Sequence, residues 1–407
     1  MSDKENKTSK KIFFLIISIL IATSIVFLLI GLIFGPSFAI KYSPDGVLRE
    51  STLSKIYLMK EALLLGSFLV LAFILALLFR YDKSLAFIRK RKKVIVNLIV
   101  LLFTIALFFL LSELILWIML RNETSFSSSG PGSLKFNKEF VKINSQGFRD
   151  MEFSVLKRAG TRRIAVVGDS ISFGSGIRNI NDAYPKLFEG YLNNGSKKYE
   201  VYNFGIPGYD ADDELETIKN KVVNYKPDII IIEYYENDLE NVDPELQSTE
   251  NIENWQIPVA GFWLREISYT YYFFESRFNR AAENIGIKKK WLDTLNTTYN
   301  SETNREYNLK VYGNISKIAK ENNATVILVI FPVISDFKNY QFQIVHEFAK
   351  EIAQKNNFYF VDLLDEFKKY PADRLVVNKY DYHPNELGHQ VAAEKILESF
   401  INQSILK

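Results

Sequence analysis

A serine becomes a useful nucleophile only beside a base that takes its proton and donors that hold the oxyanion it creates. This chain carries candidates for each. Arg163 to Gly176 reads R-I-A-V-V-G-D-S-I-S-F-G-S-G, an apolar run that stops at Gly168-Asp169-Ser170. The three histidines are His346, His383 and His389, and His383 stands in the run Tyr380-Asp381-Tyr382-His383-Pro384-Asn385. Between nucleophile and base lie Asn203-Phe204-Gly205-Ile206-Pro207-Gly208 and Tyr235-Glu236-Asn237-Asp238, which contain glycine and amide groups suited to oxyanion stabilisation. The chemistry open to such a set is attack of a serine on an ester carbonyl, with the imidazole shuttling the proton.

Composition narrows the alternatives. With no Cys, thiol nucleophiles, Cys zinc sites and disulfides all fall away. Three His leave little for a His-rich metal site, and no H-E-x-x-H spacing occurs, so neither a metal nor another cofactor is expected. Ser170 lacks a G-x-S-x-G frame and the chain has no G-x-x-x-x-G-K-[ST], which removes the main support for an α/β-hydrolase or P-loop reading. A net charge of +3 gives no argument for a nucleic-acid partner.

Taken in chain order, Ser170, Gly208, Asn237 and His383 each follow or adjoin an apolar, strand-like run, and the series resembles the four blocks of the SGNH hydrolases, also called the GDSL family. The resemblance covers Thr161 to the C-terminus. It implies Ser170 as nucleophile, His383 as general base and then acid, and Asp381 as the carboxylate that holds the imidazole tautomer. It assigns the oxyanion hole to the backbone N–H groups of Ser170 and Gly208 and the side-chain amide of Asn237. Two positions depart from the family pattern: Tyr235 stands where the third block usually has Gly, and Asp381 lies two residues before the histidine rather than three, position 380 being Tyr.

These residues need a scaffold. Arg163–Val167, Val201–Phe204, Ile229–Ile232, Val326–Phe331 and Phe358–Val361 read as short buried strands, separated by helical patterns at Asp182–Asn193, Asp210–Tyr225 and Gln343–Gln354. This alternation predicts an α/β fold with a doubly wound parallel five-stranded sheet, with Ser170 at a strand's carboxyl end, where open sheets bind ligands. Asp169 is expected to organise its loop, Asn385 to cap a helix, and His346 and His389 to be structural. Between Leu239 and about Arg305 the alternation breaks and aromatics crowd, including Trp255, Trp263, Tyr271 and Phe278. A helical subdomain packing its own core is expected, with a lid or a membrane-interface surface as the other readings. Asn144-Ser145-Gln146-Gly147-Phe148-Arg149-Asp150 reads as a strap with a Gly turn, with substrate contact by Arg149 as the alternative.

Ahead of this domain, residues 1–121 form a different kind of polymer. Ile12–Phe34 runs 23 residues without a charge, Ala62–Phe79 is a second uncharged run, and Val94–Leu120 is a third, interrupted by Glu113. Each predicts a transmembrane helix; the first is longer than the usual apolar region of a cleaved signal peptide, the competing reading, for which Ser37-Phe38-Ala39 would be the cleavage site. Seven Lys/Arg in 80–93 against four in 35–61 place the N-terminus and the basic loop in the cytoplasm and everything after Arg121 outside. Glu113 is expected near the interface beside Trp117 and Arg121, or against a partner membrane protein. Residues 122–134 read as a flexible Ser/Gly stem, so that 122–160 is a stem and lead-in, and 161–407 is the SGNH-like domain.

The expectation is thus a multi-pass cell membrane protein whose extracytoplasmic domain is a serine esterase or acyltransferase. Its substrates would be O-acyl esters, chiefly O-acetyl, of envelope or secreted glycans. Transfer would need a membrane partner protein that delivers the acyl donor. A lipid esterase of lysophospholipase type is the enzymatic alternative, and a catalytically silent SGNH binding module is the alternative from another class.

Overall fold

The computed structural model describes residues 3–33, 35, 50–120, 131–195, 198–239, 242–244, 246, 268–285, 290–378 and 381–405. Tyr380, Trp255, Phe262, Trp263, residues 122–130 of the stem and the Ser37-Phe38-Ala39 segment lie outside them. The chain divides into two compact units, residues 1–121 with a short return at 268–270, and most of the remainder.

In the first unit three helices, α1 (Asp3–Ile33), α2 (Glu50–Phe79) and α3 (Tyr81–Leu120), are long and apolar enough to cross a membrane. Their side chains are apolar nearly all round, as expected where lipid rather than water is the solvent. α1 and α2 approach closely through small residues. The Ser24 and Ser67 hydroxyls lie 3.0 Å apart, and a Cβ on Gly66 would stand 3.1 Å from the Phe27 ring. The basic stretch 80–93 differs from expectation: it is no open loop but the first turns of α3, with non-helical backbone at Arg91. Leu85 and Ile88 bury against Phe13, Ile17 and Ile74, which gives this segment an apolar face as well as a basic one. Glu113 lies on α3. Its carboxylate accepts from the Tyr269 and Thr270 N–H groups at 2.9 and 3.0 Å and from the Ser268 hydroxyl at 2.7 Å, so a charge in an apolar run is satisfied by free backbone donors.

The second unit is a five-stranded, wholly parallel sheet of β1 (Arg162–Val167), β2 (Tyr199–Asn203), β3 (Ile229–Tyr234), β4 (Thr325–Ile330) and β5 (Tyr359–Asp362) in the order β2-β1-β3-β4-β5. Its strands are apolar on both faces because both are covered. Ala165, Val167, Ile230 and Ile232 face one core, shared with α7 (Ala211–Asn220), α10 (Glu302–Glu321) and α11 (Gln343–Asn356). Ile164, Val166, Ile229 and Ile231 face the other, packed by α6 (Tyr184–Leu192) and α13 (Glu386–Asn402). The chain winds from β1 to β2, then returns past β1 to β3. That reversal opens a crevice at the strands' carboxyl ends between β1 and β3.

Among the described residues the aromatic interval contributes α8 (Tyr269–Asn284) and α9 (Trp291–Asn300), and Leu295 and Tyr299 of α9 join the sheet's main core. The helix α10 then serves as the crossover from β3 to β4. Ahead of the sheet, Pro131 opens the helix α4 (Pro131–Phe140), whose Phe136 is buried, so the last residues of the expected stem are helical.

Candidate active site

β1 ends at Val167, and the chain turns at once through Gly168 into a single helical turn, α5 (Ser170–Phe173). Asp169 caps it, its carboxylate accepting from the Ile171 N–H at 2.8 Å. Only glycine fits at 168, since a Cβ would lie 2.4 Å from Glu233 Oε2. Ser170 is buried to 9% exposure, and its Oγ lies 2.8 Å from His383 Nε2.

His383 arrives 213 residues later on a small antiparallel ribbon that periodicity did not reveal, β6 (Val376–Asn378) with β7 (Asp381–Pro384). Residues two apart on a strand face the same side. Asp381 and His383 use that register: Asp381 Oδ1 lies 2.6 Å from His383 Nδ1 and also accepts from the His383 N–H at 3.1 Å. A spacing of two therefore suffices where a strand carries the pair. Asn385 follows as the α13 N-cap, accepting from the Gly388 N–H at 3.1 Å. Its amide donates to the Arg374 and Val376 carbonyls at 2.9 and 3.0 Å, which ties the ribbon to that cap.

The third block keeps its turn despite Tyr235. The Asp238 carboxylate accepts from the Tyr235 N–H at 2.6 Å, closing the turn, and Tyr235 has no positive φ that would demand glycine. Asn237 donates through its amide to the Tyr209 carbonyl at 3.0 Å, next to Gly208, whose φ of +77° explains why glycine stands there. The four blocks thus meet around the crevice, each on the loop after a strand or on the β6–β7 ribbon.

Further residues hold this site together, and Glu233 among them lies outside every motif block. Glu233, 1% exposed inside β3, accepts from the Asp169 N–H at 3.0 Å and from the Ser172 N–H and hydroxyl at 3.3 and 3.0 Å. Asn203 donates to the Ser172 carbonyl at 2.6 Å and accepts from the Gly205 N–H at 3.0 Å. Burial pushes the carboxyls of Asp169, Glu233, Asp238 and Glu214 above their ordinary range, and mutual repulsion raises the last three further. Glu236 is pushed up to about 7 by burial and then by the neighbouring Asp169. A polar residue inside an otherwise apolar strand was the available clue to Glu233.

The other histidines have structural settings. His389 is wholly buried, accepts from the Tyr184 N–H at 3.1 Å, and is held down to about 3 by burial and the nearby His383 and Arg149. His346 bridges Asp362 at 2.9 Å and the Tyr340 hydroxyl at 2.8 Å. Among the described residues no group of three or more His, Cys, Asp or Glu is arranged to hold a metal ion.

No curated protein matches the chain. Solved structures similar to parts of it include TesA, at 12% identity, TM-score 0.38, covering 59% of this chain and 98% of that one. Another is the acetyl xylan esterase AlAXEase, at 18% identity, TM-score 0.37, covering 58% and 98%. A third is a two-domain esterase, CEX, active on acetylated mannans, at 17% identity, TM-score 0.37, covering 60% and 50%. The family model of the GDSL-like lipases and acylhydrolases matches residues 166–391, more than half of the chain and the whole interval from the β1 terminus to α13. The protein therefore belongs to the GDSL-like lipase/acylhydrolase family and is a serine ester hydrolase of that type.

Proposed function

We propose that this protein is a membrane-anchored esterase or acyltransferase that acts on O-acyl, chiefly O-acetyl, esters of envelope or secreted glycans through an acyl-enzyme on Ser170. The observation that carries the reading is the continuous relay from Ser170 Oγ through His383, at 2.8 Å, to Asp381, at 2.6 Å. In it, Ser170 Oγ attacks the acyl carbonyl while His383 Nε2 takes the hydroxyl proton. Asp381 holds Nδ1–H and stabilises the imidazolium. The backbone N–H groups of Ser170 and Gly208 and the Asn237 amide take the oxyanion, each donor worth about 3 kcal/mol in the transition state. Collapse expels the glycan alkoxide, which receives the proton from His383. Water, or a second sugar hydroxyl, then gives its proton to His383 and attacks the acyl-serine, releasing the acid or a new ester and regenerating Ser170.

The glycan assignment rests on orientation. Residues 1–121 serve as the anchor, 122–160 as stem and lead-in, and 161–407 as the catalytic domain. The Lys/Arg excess at 80–93 keeps that segment in the cytoplasm, so three crossings put Ser170 outside, among envelope polymers. Reporter fusions after Asn122 are expected to give extracytoplasmic signals and fusions at Ser84 cytoplasmic ones. The full chain is then assayed for acetate release from acetylated polysaccharide and from long-chain lipid esters. Turnover of the lipid esters alone, or the reverse fusion pattern, would replace the glycan reading.

A further inference from the structure

We propose that Arg149 and Glu233 are positioning residues that clamp the nucleophile turn from its two ends. This deepens the reading of Ser170 as nucleophile and rests on it. The turn from Asp169 to Ile177 closes part of itself, the Phe173 N–H donating to the Asp169 carbonyl at 3.0 Å and the Ser175 N–H to the Ser170 carbonyl at 2.9 Å, but the Asp169 and Ser172 N–H groups and the Phe173 and Ile177 carbonyls go to partners outside it. At its amide end, Glu233 Oε2 receives the Asp169 and Ser172 N–H groups. At its carbonyl end, the Arg149 guanidinium donates to the carbonyls of Phe173 at 3.3 Å, Gly174 at 2.6 Å and Ile177 at 2.5 Å. A carboxyl thus faces the donors and a guanidinium the acceptors. The Ser170 N–H, assigned above to the oxyanion, is not among the groups Glu233 takes.

Arg149 is suited to this and not to substrate contact. It is 1% exposed and lies between the rings of Phe136 at 5.1 Å and Phe173 at 5.4 Å. Burial lowers it only to about 10, so it keeps its charge at neutral pH. A planar fork can serve several carbonyls at once, which an ammonium cannot do from one point.

The run Asn144 to Asp150 becomes legible as the device that delivers it. Asn144 Oδ1 accepts from the Gln146 and Phe148 N–H groups at 3.1 and 2.9 Å, folding the strap back on itself. Gly147, at φ +92°, supplies the left-handed residue of that turn. Phe148 then enters the sheet core against Phe204, and Arg149 goes to the nucleophile turn. Asp150 accepts from the Asn203 N–H at 2.8 Å and pairs with Lys186 at 3.1 Å. Because Asn203 in turn holds the Ser172 carbonyl, one strap fixes the nucleophile turn and the start of the Gly208 loop together.

The test uses the full chain in detergent, with aryl acetate turnover and fluorophosphonate labelling as readouts. A misplacement of about 1 Å costs about 100-fold in rate. Arg149→Ala is therefore expected to lower kcat and the labelling rate about 100-fold with KM little changed, and Arg149→Lys to fall between. Guanidinium at non-denaturing concentration should restore kcat about tenfold, while methylammonium at equal ionic strength should not, as expected for a fork and not a point charge. Glu233→Ala should show the same kcat loss without guanidinium rescue. If Arg149→Ala does not fold, Arg149→Lys and its rescue decide. Labelling of an Arg149 variant at the wild-type rate, or losses that follow only the folded fraction, overturns the clamp while leaving Ser170 as nucleophile. A wild-type protein that takes no label removes the nucleophile reading and the clamp with it.

Discussion

The serine and the histidine proposed as nucleophile and base are held in opposite ways. The Ser170 turn is buried and fixed by partners distant in sequence, with Glu233 64 positions from the Asp169 N–H it receives and Arg149 25 from the Gly174 carbonyl. His383 sits on a short ribbon with Tyr382 beside it exposed, and its orientation comes from Asp381, two residues away. A buried, multiply anchored turn cannot relax when one contact is lost, whereas a local i to i+2 pair depends on little beyond its own strand. The nucleophile's geometry is therefore a property of the whole domain, and the base's geometry a property of a segment of a few residues.

The largest test of that contrast removes the reacting groups. Ser170→Ala or His383→Ala should each cost about 10⁶-fold in kcat, and the pair no more than either alone, because they act as one unit. Asp381→Asn should cost less, about 10⁴-fold, since it disturbs the tautomer and leaves both reacting atoms in place. Ester turnover of refolding-competent variants measures both. Equal losses for Asp381→Asn and His383→Ala would show that the ribbon is not locally self-sufficient.

Asn385→Ala strikes the ribbon from outside. Losing the α13 cap should lower stability by about 1 kcal/mol, and freeing the Arg374 and Val376 carbonyls should lower kcat by about tenfold as His383 drifts. Thermal melting alongside turnover separates these effects. A kcat unchanged at the same melting temperature would mean that Asp381 alone orients the histidine.

A smaller effect concerns Glu236, which is protonated below about pH 7 and charged above it. Its negative charge beside the oxyanion donors opposes the transition state, so wild-type kcat/KM should decline a few-fold as pH rises through 7, once histidine titration is allowed for. Glu236→Gln should lack that decline. A superimposable pair of pH profiles removes Glu236 from the electrostatics of the site.

The smallest effect lies behind the turn. Glu214 is wholly buried, with neither carboxylate oxygen hydrogen-bonded among the described residues, and its folded-state pKa is raised. The stability of such an acid is full below its unfolded pKa and is lost as pH rises through the folded one. Wild-type Tm should therefore fall as pH rises above the ordinary carboxylate range, and Glu214→Gln should lose a few degrees less over the same rise. An identical pH dependence of Tm in the two proteins would assign that loss to other groups.

Much of this protein is written in its residues read alone. Continuous apolar runs such as Ile229–Ile232 announce strands buried on both faces, because no other environment accepts side chains that are all apolar. Three long apolar segments likewise announce helices suited to lipid. The Gly-Asp-Ser turn and the later Asp-Tyr-His were visible because turn chemistry and residue type are local. What lay beyond them was decided by contacts between distant segments. The β6–β7 ribbon is too short to show a period, yet it makes a spacing of two work for Asp381. Asp238 closes the turn in which Tyr235 stands where Gly is usual, and Tyr299, from beyond the aromatic run, joins the sheet's core. Arg149 and Glu233 look like ordinary charged residues in one dimension. Only in three dimensions do they meet the two ends of one turn, because a buried backbone must have its donors and acceptors satisfied by whatever the fold brings there.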